Sequence, residues 1–291
     1  MVEKVHDIYD VVLKLIVFVY SIDFLRYIGV EKNIEEVLKT EFTRREGKKL
    51  FLDFLCRVED GTLCHIEFQF PAANDKDLSR FFEYNIMAQI SFGSITDTII
   101  VNFTSGKSGG IIKRIGKTKS FCPINFYLGD IDFESRFEKI NKKVKSNIKL
   151  SSFDEIDLML RCLVYGFDDR YNALKNVCEI LKHEELFNQD RLDFFKSIID
   201  LEIRNFLTDE EIKKLEGELN MDLEFWEKVD EVIDEVHRKQ VYEAREEGID
   251  EGLVEGRKQG IRCVAKSLLG IHSVEEVSDI TGLSVDEVKS L

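Results

Sequence analysis

A chain of 291 residues that is 44% hydrophobic and 33% charged has the composition of a globular protein, long enough for one large domain or two smaller ones. Its formal charge of −15 repels phosphate at long range and weighs against a nucleic-acid partner that binds by bulk charge alone. The most apolar N-terminal run extends only from Leu15 to Tyr20, between Lys14 and Asp23, too short to span a membrane; no signal peptide is visible, and a cytoplasmic protein is expected.

His6–Tyr27 carries a helical apolar stripe of Val11, Leu15, Phe18 and Val19. Asp10 and Lys14 lie four apart on it, either as an ordinary surface ion pair or as part of a site. Asn33–Glu41 reads as a short amphipathic or irregular segment, and a first strand is expected near Phe42–Phe51. Glu41 is either a surface acid or an accessory one.

Lys49–Phe70 is the most informative stretch. Two runs rich in Phe, Leu, Ile, Val and Cys flank Glu59-Asp60-Gly61, the pattern of a β-hairpin with a three-residue loop. In that register Val58 faces Thr62 and Asp53 lies opposite Glu67. Side chains alternate with period two. Phe51, Asp53, Leu55 and Arg57 therefore share one face with Leu63, His65, Glu67 and Gln69. Leu52, Phe54, Cys56 and Val58 share the other, expected core, face with Cys64, Ile66, Phe68 and Phe70. Facing carboxylates repel. A divalent cation reverses the sign, because hard cations take carboxylate oxygens. The alternative is a solvated strand face whose acids coincide. The six cysteines include no C-x-x-C pair, so a zinc ribbon is not expected, and Cys56 and Cys64 read as small buried groups.

Pro71–Asp77 reads as a turn. Asp77–Phe92 is a helix with Leu78, Phe81, Phe82, Ile86 and Ile90 on its apolar face, Arg80 and Tyr84 on another, and Gly93 as its stop. Asp97–Thr104 and Phe121–Leu128 are strands. Ser105–Gly110 is a flexible loop without the spacing of a nucleotide-binding P-loop. Lys107–Lys149 holds 11 basic residues against four acidic ones, either a solvated surface or a DNA-facing patch. Beyond Ser152 the pattern is helical: Phe153–Phe167, Tyr171–Glu184, Gln189–Phe206, Asp209–Leu219, then a long charged helix from Leu223. Gly248, Gly252, Gly256 and Gly260 recur every four residues, each preceded by Glu or Gln. Each glycine costs a helix about 1 kcal/mol relative to Ala. This segment is therefore either a charged linker helix or a helix that associates with a second copy to form a homo-oligomer. Ser273–Glu276 and Ser284–Glu287 are capping boxes of a small helical tail. The expected organisation is an α/β core over 1–150, a helical subdomain over 151–240, and the repeat helix with its tail over 241–291.

Asp53 followed, after 13 residues, by Glu67-Phe68-Gln69 resembles the D…(E/D)xK core of PD-(D/E)XK nucleases. The Gln in last place, Ile66 before the Glu, Arg80…Tyr84 after it, Asp10-Val-Val-Leu-Lys14 before it and the Glu-Gly tail resemble one branch, the nuclease-family transposases related to recombination-promoting nucleases. The resemblance spans roughly Asp10 to Phe103, with the tail as a second match. Leu52 stands where the superfamily often has Pro. Gln69 replaces Lys, as is common in this branch. The resemblance implies an α/β fold, with a restriction-endonuclease-like αβββαβ core and a helical C-terminal region. It implies a Mg²⁺- or Mn²⁺-dependent DNA endonuclease linked to recombination or mobile elements. Asp53, Glu67 and the Phe68 carbonyl would hold the metal, and Gln69 would complete the catalytic set by orienting water. Arg80 and Tyr84 are candidates for phosphate binding, and Glu41, Asp10 and Lys14 for accessory roles. The alternative, favoured by the acidic charge, is a catalytically degenerate nuclease fold kept as an interaction module.

Overall fold

The computed structural model describes residues 8–43, 49–70, 73–106, 112–115, 117, 120–164 and 170–219, and in the C-terminal part 269, 273, 274, 277, 278 and 284–289. Two compact units divide the chain, Met1–Asp234 and Glu235–Leu291.

The first unit is built on a mixed five-stranded sheet. Strands β1 (Ile34–Val37), β4 (Phe54–Val58), β5 (Leu63–Gln69), β6 (Thr96–Asn102) and β9 (Ile124–Tyr127) lie side by side in that order. The β1–β4 and β4–β5 pairs are antiparallel, while β5–β6 and β6–β9 are parallel. Two short ribbons flank it, β2 (Glu41–Thr43) with β3 (Lys49–Phe51), and β7 (Lys113–Arg114) with β8 (Ser120–Phe121). The hairpin has the expected register: Phe54 pairs with Ile66 and Cys56 with Cys64. Gly61 has φ +78°, and its N–H donates to the Val58 carbonyl at 2.7 Å. Asp60 Oδ1 accepts from the Thr62 N–H at 3.0 Å, which closes the turn.

Three expectations are corrected. The first strand of the sheet is Ile34–Val37, not Phe42–Phe51, whose ends form the separate β2–β3 ribbon. β1 is a mostly exposed edge strand held by backbone pairing to β4, so it carries no apolar alternation to read. Second, both faces of the hairpin are core. Leu55 and Leu63 pack with Leu78, Phe81 and Ala88 of helix α2 (Asp75–Phe92). On the opposite face Phe68 meets Phe24 of helix α1 (Ile8–Tyr27), ring centroids 6.3 Å apart. Phe70, expected in the core, is 55% exposed. Third, α2 turns a different side inward. It buries Leu78, Phe81, Tyr84, Asn85 and Ala88, while Ile90 is 73% exposed. Asn85 donates to the Thr96 carbonyl at 2.7 Å and to Thr98 Oγ1 at 2.9 Å, and those bonds favour the polar residue over its apolar neighbours. The helix begins at an Asn74–Asp77 capping box and ends at Gly93, φ +65°.

Helix α3 (Phe133–Lys145) lies within the basic segment and was not expected as a helix. It buries Phe133, Phe137 and Ile140, and two of its cations are bound to helix α4 (Ser152–Val164): Arg136 to Asp157 at 2.7 Å and Lys143 to Asp154 at 2.6 Å. Helices α5 (Arg170–Leu181), α6 (Leu192–Phe206) and α7 (Asp209–Leu219) follow. Tyr20 and Tyr27 of α1 donate to Glu155 at 2.9 Å and Asp157 at 2.6 Å, so α1 packs on both the sheet and the helical region. Among the described residues no helix is long and apolar enough to cross a membrane.

In the second unit Val277 and Val288 are buried with Leu269 and Val274 packed against them. The Ser284–Glu287 box caps helix α8 (Val285–Lys289): Ser284 N–H donates to Glu287 Oε2 at 2.9 Å, and the Glu287 N–H donates back to Ser284 Oγ at 3.3 Å. The helix expected after Leu223, the glycine repeat and Glu276 of the other box lie outside the described residues.

Candidate active site

Asp53 sits one residue before β4, where the hairpin ladder ends. Its Oδ2 accepts the Phe68 N–H at 2.8 Å, taking the place of a backbone partner. Its Oδ1 lies 2.9 Å from Lys14 Nζ, which is also 2.8 Å from Asp10 Oδ2. The i,i+4 pair on α1 is thus a surface pair and a site element at once. Glu67, 3% exposed, points from β5 into the same space, and its Oε1 accepts from the Asp53 N–H at 3.3 Å. These groups line a cavity of about 330 Å³ that Gln69, Arg80 and Tyr84 also line. Phe68 lines it by its backbone, since its ring faces α1. N–H and C=O of one strand residue point to the same edge, so the Phe68 carbonyl is directed toward the Asp53 edge, beyond the end of β4. No side-chain hydrogen bond joins Gln69 to another described residue. Arg80 is 3.7 Å from Asp77 and lies over the Phe81 ring, with its side chain 48% exposed. Glu41 does not line the cavity; it pairs with Lys49 at 2.6 Å across the β2–β3 ribbon.

Burial, then the neighbouring Glu67 charge, pushes the Asp53 carboxyl up to about 7. Burial pushes Glu67 up to about 8, against the Asp53 N–H, Arg80 and Lys14, which favour its ionised form. For Lys14 burial acts to lower the pKa, but the Asp53 and Asp10 carboxylates outweigh it and hold the ammonium above its ordinary value. The site therefore contains the Lys14 ammonium fixed beside Asp53, the Arg80 guanidinium, and two acids that resist ionising together at neutral pH.

The groups behind Glu67 carry no role in the reading of the sequence. His65 is fully buried, and burial pushes it down to about 3, so the ring is neutral. Its Nε2 lies 2.8 Å from Glu67 Oε1 and its Nδ1 3.2 Å from Thr98 Oγ1. With Glu67 ionised, Nε2 must donate and Nδ1 must accept from the Thr98 hydroxyl. Because the ring is neutral, this contact is a hydrogen bond and not an ion pair, whether Glu67 is ionised or protonated. Thr98 in turn accepts from Asn85, whose Oδ1 accepts from Gln89 at 2.7 Å. The chain of donors runs one way and ends on Glu67. Period-two spacing does place His65 beside Glu67. Thr98 and Asn85 required the parallel β5–β6 pairing, which aligns His65 with Thr98.

Among the described residues no three His, Cys, Asp or Glu side chains converge as a metal cage. The site offers two carboxylates and one carbonyl. This set of hard oxygen donors fits Mg²⁺ or Mn²⁺, ions that keep several waters and need only one or two carboxylates. Two acids with raised carboxyl pKa values, Glu67 buried and Asp53 half-buried, are also what a dication would relieve. Neither family models, curated proteins nor solved structures give a significant match to this chain.

Proposed function

We propose that the chain is a metal-dependent DNA endonuclease of the PD-(D/E)XK type, hydrolysing phosphodiester bonds in recombination or mobile-element biology in the cytoplasm. The observation that carries this reading is the acid pair: Asp53, half-buried, and Glu67, buried, opposite each other at the end of a hairpin and sharing one cavity with Gln69, Lys14 and Arg80. The element order α1, β1, β4, β5, α2, β6 also agrees with an αβββαβ core. Asp53, Glu67 and the Phe68 carbonyl would hold Mg²⁺ or Mn²⁺. When bound, the ion supplies Lewis acidity that makes water a better nucleophile and stabilises charge developing on phosphate. Gln69 orients the attacking water through its uncharged amide. Lys14 supplies a cation that Gln69 lacks, fixed beside Asp53. Arg80 faces the same space with an exposed guanidinium suited to a phosphate oxygen. His65 holds the Glu67 carboxylate in one orientation.

The test is cleavage of supercoiled plasmid by purified protein with Mg²⁺ or Mn²⁺. Asp53→Ala and Glu67→Ala should each abolish it while circular dichroism stays unchanged. Wild-type cleavage by either folded variant refutes the assignment. One observation favours a second reading, a degenerate fold kept for interaction: the Lys14 ammonium already balances Asp53 without a metal. In that case millimolar Mg²⁺ gives no thermal shift.

A further inference from the structure

Only three of the exposed large hydrophobic residues among those described are aromatic, Phe51 (59% exposed), Phe70 (55%) and Phe153 (42%). Phe153 sits edge-on to Tyr27 at 5.9 Å, away from the acids. Phe51 and Phe70 both line the acid cavity. Phe70 is braced: the Tyr9 ring stacks on it at 4.7 Å with an interplanar angle of 9°, and Phe103 meets it edge-on at 5.9 Å. Burying a Phe side chain is worth about 1.5–3 kcal/mol. More than half of each residue is left in solvent at a polar cavity, and that exposed part gains nothing for the fold.

We propose that these rings stack on unpaired nucleobases, so that the substrate is single-stranded DNA or a duplex carrying an unpaired stretch. The proposal deepens the nuclease reading and rests on it for the identity of the polymer. A paired base keeps both faces inside the helix, so exposed Phe rings have no counterpart on an intact duplex. An unpaired base offers its π-face, and stacking on an aromatic side chain is worth about 1–3 kcal/mol per base. Charge points the same way. The chain carries −15 overall, and Lys14 is shared between Asp10 and Asp53. Binding that cannot rest on counterion release needs an apolar contribution.

Binding is measured by fluorescence anisotropy in EDTA, with oligonucleotides that are single-stranded, blunt duplex, or duplex with a single-stranded flap. Cleavage of the same three is then measured with Mg²⁺. Single-stranded and flapped DNA should bind and be cut in preference to blunt duplex. Phe51→Ala and Phe70→Ala should each weaken single-strand binding by about 5- to 150-fold, the equivalent of one lost stack. Phe70→Trp should restore it, and 2-aminopurine in the bound strand should be quenched by wild type and not by the Ala variants. Phe51→Ala should leave the melting temperature unchanged, whereas Phe70→Ala loses its contacts with Tyr9 and Phe103 and should melt slightly lower while remaining folded in the assay. Blunt duplex bound as tightly as single strand, with the Phe variants unaffected, overturns the proposal. If that protein still loses plasmid cleavage on Asp53→Ala, the nuclease reading survives alone. Phe-dependent single-strand binding without cleavage of any DNA sinks the nuclease and leaves the stacking surface. Phe variants that change only the oligomeric state show a protein surface and overturn the proposal.

Discussion

Replacing Glu67 by Gln should stabilise the metal-free protein at alkaline pH and leave it unchanged near pH 5. Gln keeps an oxygen for the His65 and Asp53 donors and removes only the charge. The Glu67 carboxyl is raised from 4.5 to about 8 in the folded chain, so the folded state holds a proton that the unfolded state has released. A raised carboxyl therefore favours folding below its unfolded pKa, and that stability drains away as pH climbs through the interval up to about 8. At 1.36 kcal/mol per pK unit the full cost approaches about 5 kcal/mol. Asp53 titrates with it, and a coupled pair shares the cost, so roughly 2–3 kcal/mol is assigned to the substitution. For a domain of this size 1 kcal/mol moves the melting temperature by about 2–4 °C. Glu67→Gln should thus melt about 5–10 °C above wild type near pH 8 in EDTA. Differential scanning fluorimetry from about pH 5 to pH 9 reads this directly. Addition of Mg²⁺ should stabilise wild type progressively more as pH rises and should do little for the variant. An equal melting difference at both ends of the range, or a less stable variant near pH 8, refutes the claim that these two acids are forced together at the cost of stability.

Gln69→Ala should lower the single-turnover cleavage rate by about 10²–10⁴-fold, the usual worth of a positioned acid–base or water-orienting group, with Mg²⁺ affinity unchanged by calorimetry. Lys14→Met removes the cation beside Asp53, so the Asp53 carboxyl rises further above about 7. The acidic limb of Mg²⁺ binding should then move to higher pH. Asn85→Ala leaves the Thr96 carbonyl and Thr98 hydroxyl without their amide donor. It should cost about 1–3 kcal/mol in urea denaturation.

The hairpin and the acid pair were legible because the Asp60-Gly61 turn sets the register locally: once Gly61 takes a positive φ, counting back places Asp53 against Glu67. The edge strand β1 was not legible, because Ile34-Glu-Glu-Val37 buries almost nothing and is held by backbone bonds and an exposed Glu36–Arg57 ion pair at 3.5 Å. α3 was hidden by its lysines; the buried stripe of Phe133, Phe137 and Ile140 has helical spacing but was outweighed by charge. The His65–Thr98–Asn85 chain was out of reach for a different reason. β5 and β6 are parallel and joined through α2, so no local turn fixes their register, and His65 faces Thr98 only once the whole crossover is packed.

The distribution of cations decides how such an acidic chain can handle a polyanion. Part of the basic segment from Lys107 to Lys149 is committed within the fold: Arg136 and Lys143 bind acids of α4, and Lys113 binds Asp75 at the start of α2. The cavity itself has Lys14, bound to two acids, and Arg80, half exposed beside Asp77. Long-range attraction is therefore weak, and affinity has to arise at short range. On the nuclease reading three sources would act at the cavity wall: a dication held by Asp53 and Glu67, the Arg80 guanidinium, and the exposed rings of Phe51 and Phe70. Of these only the first two respond strongly to salt, and a protein that neutralises few phosphates shows a shallow salt slope. The acid pair then acts as more than a ligand set. In the free chain it costs stability, and on the proposed reading a bound dication would relieve that cost. Metal and substrate would then be coupled through the same two carboxylates.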